Sequence, residues 1–276
     1  MSVRRRAGNV ATWVLGPTFT RHYLRSLRVR GPRAPYEAKS AWTSRYESAV
    51  ARGELNDATT LAEGARPAVV RYHYNAVENA IVELSLEKRF PAHPTVLDIG
   101  SGAGHWIDFY RNTLGAPAVV GVEISTSAVQ VLAGRYETEP EVTIVEGDVS
   151  EVGFDLERRF DVVNAVGVLF HVVEDDDWQR ALANLGAHLA PGGLLLVAEH
   201  VGLLSHDVDF RRLEPAAGHP EGVALVTKRI RSKRRWRSGA RVAGLRVISF
   251  EKIRKQRSMR TPANRLIVLG SRRRRR

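Results

Sequence analysis

One aspartate and three glycines at alternate positions follow directly on an apolar run in Val96-Leu97-Asp98-Ile99-Gly100-Ser101-Gly102-Ala103-Gly104. Glycines so spaced let the backbone pass close beneath a ligand where a Cβ would collide, and a helix starting there offers free amides. Asp98 is placed to accept a hydrogen bond from a cationic or amino-bearing ligand. The apolar strand Val119-Val120-Gly121-Val122 ends in Glu123, about 20 residues beyond the glycines, where an acid can take both hydroxyls of a ribose. A further strand closes in Glu146-Gly147-Asp148-Val149, which puts Asp148 within reach of an exocyclic adenine amine. Together these residues describe a pocket for a nucleoside joined to a charged tail.

The elements that must position them alternate. Strand patterns at Val96–Ile99, Ala118–Ile124, Val142–Val145, Phe160–Val166 and Leu194–Glu199 are separated by helical patterns at Ala103–Leu114, Thr126–Tyr136 and Asp177–Leu189. Short continuous apolar strands between helices predict a parallel sheet covered on both faces. Two last strands, Leu245–Ile253 and Arg265–Leu269, lie close enough in sequence to pair antiparallel, after a basic helix around Ser232–Ala243. The predicted fold is α/β: a doubly wound, seven-stranded, mostly parallel sheet with a final antiparallel strand pair. Ahead of it, Tyr36–Arg52 and Pro67–Phe90 carry helical spacing. The expected organisation is a basic arm and linker over 1–35, a helical cap over 36–92, the main domain over 93–270 and an arginine tail over 271–276.

The stretch from about Thr95 to His200 resembles the class I S-adenosylmethionine-dependent methyltransferase family, of small-molecule type. The likeness rests on the D-x-G-x-G-x-G run, Glu123, Gly147-Asp148, the strand Phe160-Asp161-Val162-Val163, and Leu189-Ala190-Pro191-Gly192-Gly193. The resemblance implies a Rossmann-like fold and S-adenosylmethionine as cofactor. It implies that Gly100 and Gly102 line the methionine moiety, that Asp98 sits near its amine, that Glu123 holds the ribose and that Asp148 touches the adenine. Ser101, Gly104, Ile124, Val149, Val166 and Tyr74 complete the expected cofactor contacts. A nicotinamide dinucleotide site would need a third glycine where His105 stands.

In open α/β sheets a ligand lies beyond the carboxyl ends of the strands, so the methyl acceptor should meet residues after Val166 and Glu199. In this first segment His171 is the expected catalytic residue, lining the pocket or taking a proton from the nucleophile. Asp175–Asp177 start a helix, where acids complement its dipole. Glu199-His200 and His206-Asp207-Val208-Asp209 lack a tight ligand spacing such as H-x-x-x-H, and no metal is expected. The aromatics of Tyr72-His73-Tyr74 are placed to shield a sulfonium by cation–π contact. A loop over Val201–Val226 has the size of a substrate-shaping insert.

Charge is segregated. Residues 1–33 hold eight arginines and no acid, and residues 228–276 hold 20 Lys and Arg against the single acid Glu251, within a net charge of +12. The stretch between them is acidic, so any polyanion, whether nucleic acid or an anionic membrane surface, would meet the termini. Absence of cysteine excludes disulfides, thiolate nucleophiles and cysteine-ligated metals. No window supplies the ~18 apolar residues of a membrane span, and the segment Arg4–Phe19 reads as a basic arm rather than an export signal. A cytoplasmic enzyme with a small-molecule acceptor is the expectation. The rival is an RNA or other nucleic-acid methyltransferase using Lys228–Arg237 and Trp236; an idle cofactor-binding module is the third class.

Overall fold

The computed structural model describes residues 33–34, 38–61, 66–202, 207–213, 224–253 and 264–272. Its elements in chain order are β1 (Arg33–Ala34), α1 (Ala38–Ala51), α2 (Asp57–Leu61), α3 (Pro67–Leu86), β2 (Thr95–Ile99), α4 (His105–Asn112), β3 (Ala118–Glu123), α5 (Thr126–Arg135), β4 (Val142–Glu146) and β5 (Phe160–Asn164). After a short 3₁₀ turn, Leu169–His171, follow α6 (Asp175–Ala187), β6 (Leu189–His200), β7 (Val208–Leu213), β8 (Ala224–Ile230), α7 (Lys233–Val242), β9 (Leu245–Lys252) and β10 (Asn264–Ser271).

Seven strands form one sheet in the order β4-β3-β2-β5-β6-β10-β9. The first five pair in parallel, and β10 runs antiparallel to both β6 and β9. The chain winds outward from β2 to one edge and then restarts at β5 on the other side, so the C-terminal ends of β2 and β5 diverge and leave a crevice. Period-two alternation divides the core: along β6, Leu194, Leu196 and Ala198 pack with α3, α4 and α5, while Leu195 and Val197 pack with α6 and α7. Local signals set the helices: three acids open α6, and the Ser232 hydroxyl caps α7 by accepting from the Arg235 amide at 3.2 Å.

Two segments differ from the sequence expectation. The predicted loop over Val201–Val226 contains β7 and the start of β8, which pair antiparallel with β1 added in parallel as a second, three-stranded sheet. Its strands are rich in charge, so period-two hydrophobicity does not announce them; Asp209 lies opposite Arg229 in the register and accepts from its Nε at 2.7 Å. In β6 the Pro-Gly-Gly stretch falls inside the strand as an irregularity, the partner of β5 jumping from Leu189 to Leu194. No helix among the described residues is long and apolar enough to cross a membrane.

Candidate active site

A cavity of about 730 Å³ opens at the carboxyl ends of β2, β3, β5 and β6 and is roofed by residues of α1, α2 and α3. That volume suits a cofactor with a second small molecule. Its floor is the glycine turn. Gly100 and Gly102 have φ of 71° and 56°, a region that L side chains avoid, and the turn is fastened to β3 by Gly100 N–H donating to Val122 O at 2.7 Å. What a Cβ would strike at these positions is the protein itself. At Gly100 it would meet Val168 Cγ2 at 2.7 Å, and at Gly102 it would meet Thr60 Cγ2 at 2.7 Å. The glycines therefore also let the N-terminal helices and the segment after β5 close down on the turn.

Glu123, buried at the end of β3, accepts from Gly102 N–H at 2.9 Å through Oε2 and from Ile124 N–H at 2.8 Å and Ser125 N–H at 3.1 Å through Oε1. Burial raises its pKa, opposed by those three amides, so one carboxylate both fixes the glycine turn and faces the cavity. Asp148 lines the cavity beyond β4, its Oδ1 accepting from the Ser150 amide at 2.8 Å and hydroxyl at 2.7 Å. Ser101, Ile124, Val149 and Val166 line the same region.

Asp98 stands behind this wall rather than in it. Its carboxyl is fully buried: Oδ1 accepts from Asn164 Nδ2 at 2.7 Å, and Oδ2 has no partner among the described residues. Burial pushes it up to about 7 against the pull of Asn164 and Ser101. Tyr110 OH donates to Asn164 Oδ1 at 3.2 Å and completes a polar line through the core. Gly104 is not a wall residue; a Cβ there would strike the Tyr136 hydroxyl at 2.5 Å, so it serves the packing of α5 on the turn.

Tyr74 lies over the turn from α3. Its hydroxyl pairs with Thr60 Oγ1 at 2.8 Å, and its ring lies 3.7 Å from that of His105, tilted by 31°. The first residue of α4, His105, bridges Asp57 Oδ2 at 2.9 Å and Glu78 Oε1 at 2.7 Å. Burial lowers its pKa, but the two carboxylates outweigh that and hold it at about 9, an imidazolium that ties α2 and α3 to the turn. Tyr72 faces solvent.

At the other end of the cavity the 3₁₀ turn carries His171, whose Nδ1 donates to Thr227 O of β8 at 3.0 Å. A carbonyl can only accept, so the proton sits on Nδ1 and Nε2 carries the lone pair. Burial, then Lys228 and Arg45, drive its pKa down to about 3. This turn is pinned by the buried Arg231 at the end of β8, which donates to Val172 O at 2.9 Å and Val173 O at 3.3 Å and stacks 4.4 Å from the Trp178 ring. Glu199 also lines the cavity; burial lifts its carboxyl to about 8 against the attraction of Arg231 and the Phe170 amide.

Of the residues singled out from sequence, Gly100, Ser101, Gly102, Glu123, Ile124, Asp148, Val149, Val166, Tyr74 and His171 all border this one cavity, while Asp98 and Gly104 lie outside its lining. Sequence reasoning missed His105, Asp57, Glu78, Asn164, Thr227 and Arg231 as parts of the site. No local motif marks them, and Thr227 acts through its backbone. Arg45 and Trp42 had only the helical spacing of α1 to announce them. In the basic segment read as a nucleic-acid surface, Trp236 is fully buried against Trp178, with ring centroids 5.2 Å apart, so its ring is spent on the core. His206 and Arg4–Phe19 lie outside the described residues, as does the tail beyond Arg272. Among the described residues, no group of three or more His, Cys, Asp or Glu is arranged to hold a metal.

Residues 96–193 match the family model described as a methyltransferase domain. A dTDP-4-amino-2,3,4,6-tetradeoxy-D-glucose N,N-dimethyltransferase of Saccharopolyspora spinosa is 30% identical over 123 residues, covering 44% of this chain and 47% of the relative. The chain thus spans about half the length of that curated relative. Among solved structures, DhpI bound to S-adenosylhomocysteine superposes with a TM-score of 0.60 at 18% identity, covering 87% of this chain and all of the other. The glycopeptide N-methyltransferase MtfA bound to S-adenosylmethionine gives 0.51 at 20% identity, over 71% of this chain and 92% of that one. These likenesses establish the Rossmann-like methyltransferase fold.

Proposed function

We propose that this chain, whose residues 96–193 match a methyltransferase domain, moves a methyl group from S-adenosylmethionine to an oxygen, nitrogen or carbon nucleophile of a small or mid-sized acceptor, with His171 lining the acceptor end and accepting a hydrogen bond from the nucleophile. The residues of the cavity fit the cofactor: a glycine turn with positive-φ backbone, an acid at the end of β3 for the ribose, Asp148 for the adenine amine, and apolar Ile124 and Val149 for its ring faces. The unpartnered Oδ2 of Asp98 is an orphan that an amine, directly or through water, would satisfy. Bound S-adenosylmethionine supplies an electrophilic methyl on a sulfonium.

The chain's own contribution is placement, exclusion of water and one hydrogen bond to the nucleophile. Asp57 and Glu78, tied to His105, hold the N-terminal helices over the turn. Thr227 O fixes the His171 tautomer and Arg231 fixes its turn, which leaves Nε2 with its lone pair as a hydrogen-bond acceptor. The observation that carries the reading is this neutral histidine in the same cavity as the glycine turn and Glu123.

The names of the relatives, an amino-sugar N,N-dimethyltransferase and a glycopeptide N-methyltransferase, support a nitrogen nucleophile among the three. The test is an acceptor screen with methyl-labelled S-adenosylmethionine on wild type and His171→Ala. A variant that binds the cofactor with wild-type affinity and loses roughly tenfold in kcat supports the hydrogen bond from the nucleophile to His171. A variant with unchanged kcat removes His171 from the chemistry, and failure of folded wild type to bind the cofactor removes the enzyme.

A further inference from the structure

Helix α7 opens against the rules that α6 follows. Three acids stand in the first turn of α6, where they complement its dipole, whereas the first turn of α7 holds no acid and begins Lys233-Arg234-Arg235. Lys233, Arg237 and Arg241 follow one another at intervals of four, so two like-charged pairs stack along the helix, an arrangement that costs stability. With Arg234 they form one stripe, since 3.6 residues per turn puts all four within about 100° of arc. Trp236 and Ala240, off this stripe, are fully buried in the core. The neighbouring strand continues the pattern: Lys252 of β9 stands directly opposite Arg265 of β10, where like charges repel. Because β9 is the edge of the seven-stranded sheet, a lysine there also discourages pairing with another edge, which accounts for Lys252 but for none of the charges on α7.

These cations are close together and uncompensated. Lys233 Nζ and the Arg237 guanidinium lie 5.1 and 5.3 Å from the same Phe250 ring. Burial, then the charges of Arg265, Arg237 and Lys252, hold the Lys233 pKa down, with no acid acting against them. Several arginines elsewhere find carboxylates: Arg111 meets Glu139 and Glu141, Arg135 meets Asp108, and Arg180 meets Asp177. On α7 the inward Arg235 does so, with Asp175 at 2.9 Å and Asp207 at 4.0 Å. Among the described residues, Lys233, Arg234, Arg237, Arg241 and Lys252 have no ion pair, and all but Lys233 are exposed. Glu251, the single acid of residues 228–276, stands opposite Leu266 and so faces the other side of the sheet from Lys252.

We propose that the outer stripe of α7, with Lys252 beside it, is a docking surface for the phosphate backbone of a nucleic acid. Cations held against the helix dipole and against one another are relieved when a polyanion meets them and releases its counterions. Arginines along one helix face are the electrostatic footprint of such a partner, and their planar forks suit phosphate. A membrane surface fits less well, because an interfacial helix lays its apolar face into the lipid and that of α7 is spent on the core. Trp236 is buried and Phe250 lies under Lys233 and Arg237, so neither ring is offered to bases, and the surface binds backbone irrespective of sequence. Lys252 precedes Ile253 and Arg265 follows Asn264, both in the cavity wall, so this face adjoins the cavity. The inference stands apart from the methyl-transfer reading and does not depend on it.

The test is fluorescence anisotropy of a labelled DNA duplex of about 20 base pairs with the full chain, over about 50–300 mM salt. Arg234→Gln/Arg237→Gln/Arg241→Gln should lower the slope of log affinity against log salt by about 2–3, at roughly 0.9 per lost phosphate contact, and weaken binding roughly 100-fold near 0.1 M salt. The same variant should melt no lower than wild type, because the like-charged pairs are gone, which sets lost binding apart from lost folding. Arg66→Gln/Arg71→Gln/Arg89→Gln removes equal charge from exposed positions at α3 and should keep most of the affinity. No binding by wild type, or an α7 variant that loses no more than this control, overturns the surface. Tighter binding to phosphatidylserine vesicles or to poly-L-glutamate than to the duplex, lost in the α7 variant, assigns the face to a membrane or an acidic protein and overturns the nucleic acid.

Discussion

The two ends of the cavity are built in different ways. The glycine end comes from strand ends and the turns that follow them: Gly100 to Gly104, Glu123 and Asp148 stand at the carboxyl ends of the successive strands β2, β3 and β4. The acceptor end joins Trp42 and Arg45 of α1, His171 of the turn after β5, and Thr227 and Lys228 of β8. One end is fastened by backbone amides on a carboxylate, the other by aromatic contacts and cations. The first arrangement suits a ligand of fixed chemistry, and the second can be recast by changing a few side chains without disturbing the sheet. On the proposed reading, cofactor binding and acceptor choice should be separable by mutation.

Glu123→Ala should give the largest effect on the glycine end. It frees the amides of Gly102, Ile124 and Ser125 at once, and an unmet buried donor costs about 1–3 kcal/mol. Cofactor affinity should fall by roughly 100-fold or more, with a lower melting temperature, whereas His171→Ala at the other end should affect it far less. Calorimetry with S-adenosylhomocysteine on both variants checks this; equal losses would show that the two ends are one unit.

Asp98→Asn should have an intermediate and two-sided effect. The folded chain keeps a proton on this carboxyl up to about pH 7, while the unfolded chain releases it near 3.8, so its burial costs stability progressively as pH rises from about 4 to 7. Asparagine removes that penalty. At pH 8 the variant should melt higher, by about 1–3 kcal/mol of added stability, and bind S-adenosylmethionine roughly tenfold more weakly. Scanning calorimetry against pH and cofactor titration give both numbers, and a variant less stable than wild type at pH 8 contradicts the account.

The smallest effect concerns the His105 bridge. Its pKa is raised from 6.5 to about 9, so the stability it brings is fully present below pH 6.5 and is lost as pH rises through 9. Thermal midpoints of wild type should decline more steeply between pH 7 and 9.5 than those of His105→Gln, and superimposable curves would rule the bridge out as a tie between α2, α3 and α4.

Much of the sheet was legible in the sequence because buried parallel strands read as unbroken apolar runs, as in Val119–Val122 and Leu194–Val197. The antiparallel pairing of β9 and β10 followed from their closeness in sequence. The second sheet was not legible, because β7 and β8 offer charged residues whose partners lie across the hairpin, as Asp209 and Arg229 do. Gly100, Glu123 and Asp148, singled out by type and spacing, border one cavity. The place of Asp98 behind the wall was not readable, since the strand's register with Asn164 of β5 decides it.

The sequence by itself determined the succession of strands and helices of the main sheet, the glycine turn and the acids that follow it, since each depends on residues a few positions apart and on local backbone geometry. Only the tertiary structure decided which nitrogen of His171 carries the proton, that Trp236 serves the core, and that Arg45 and Lys228, from stretches more than 180 residues apart, both act on His171. Those features arise from burial and from contacts between distant segments, which no local spacing encodes.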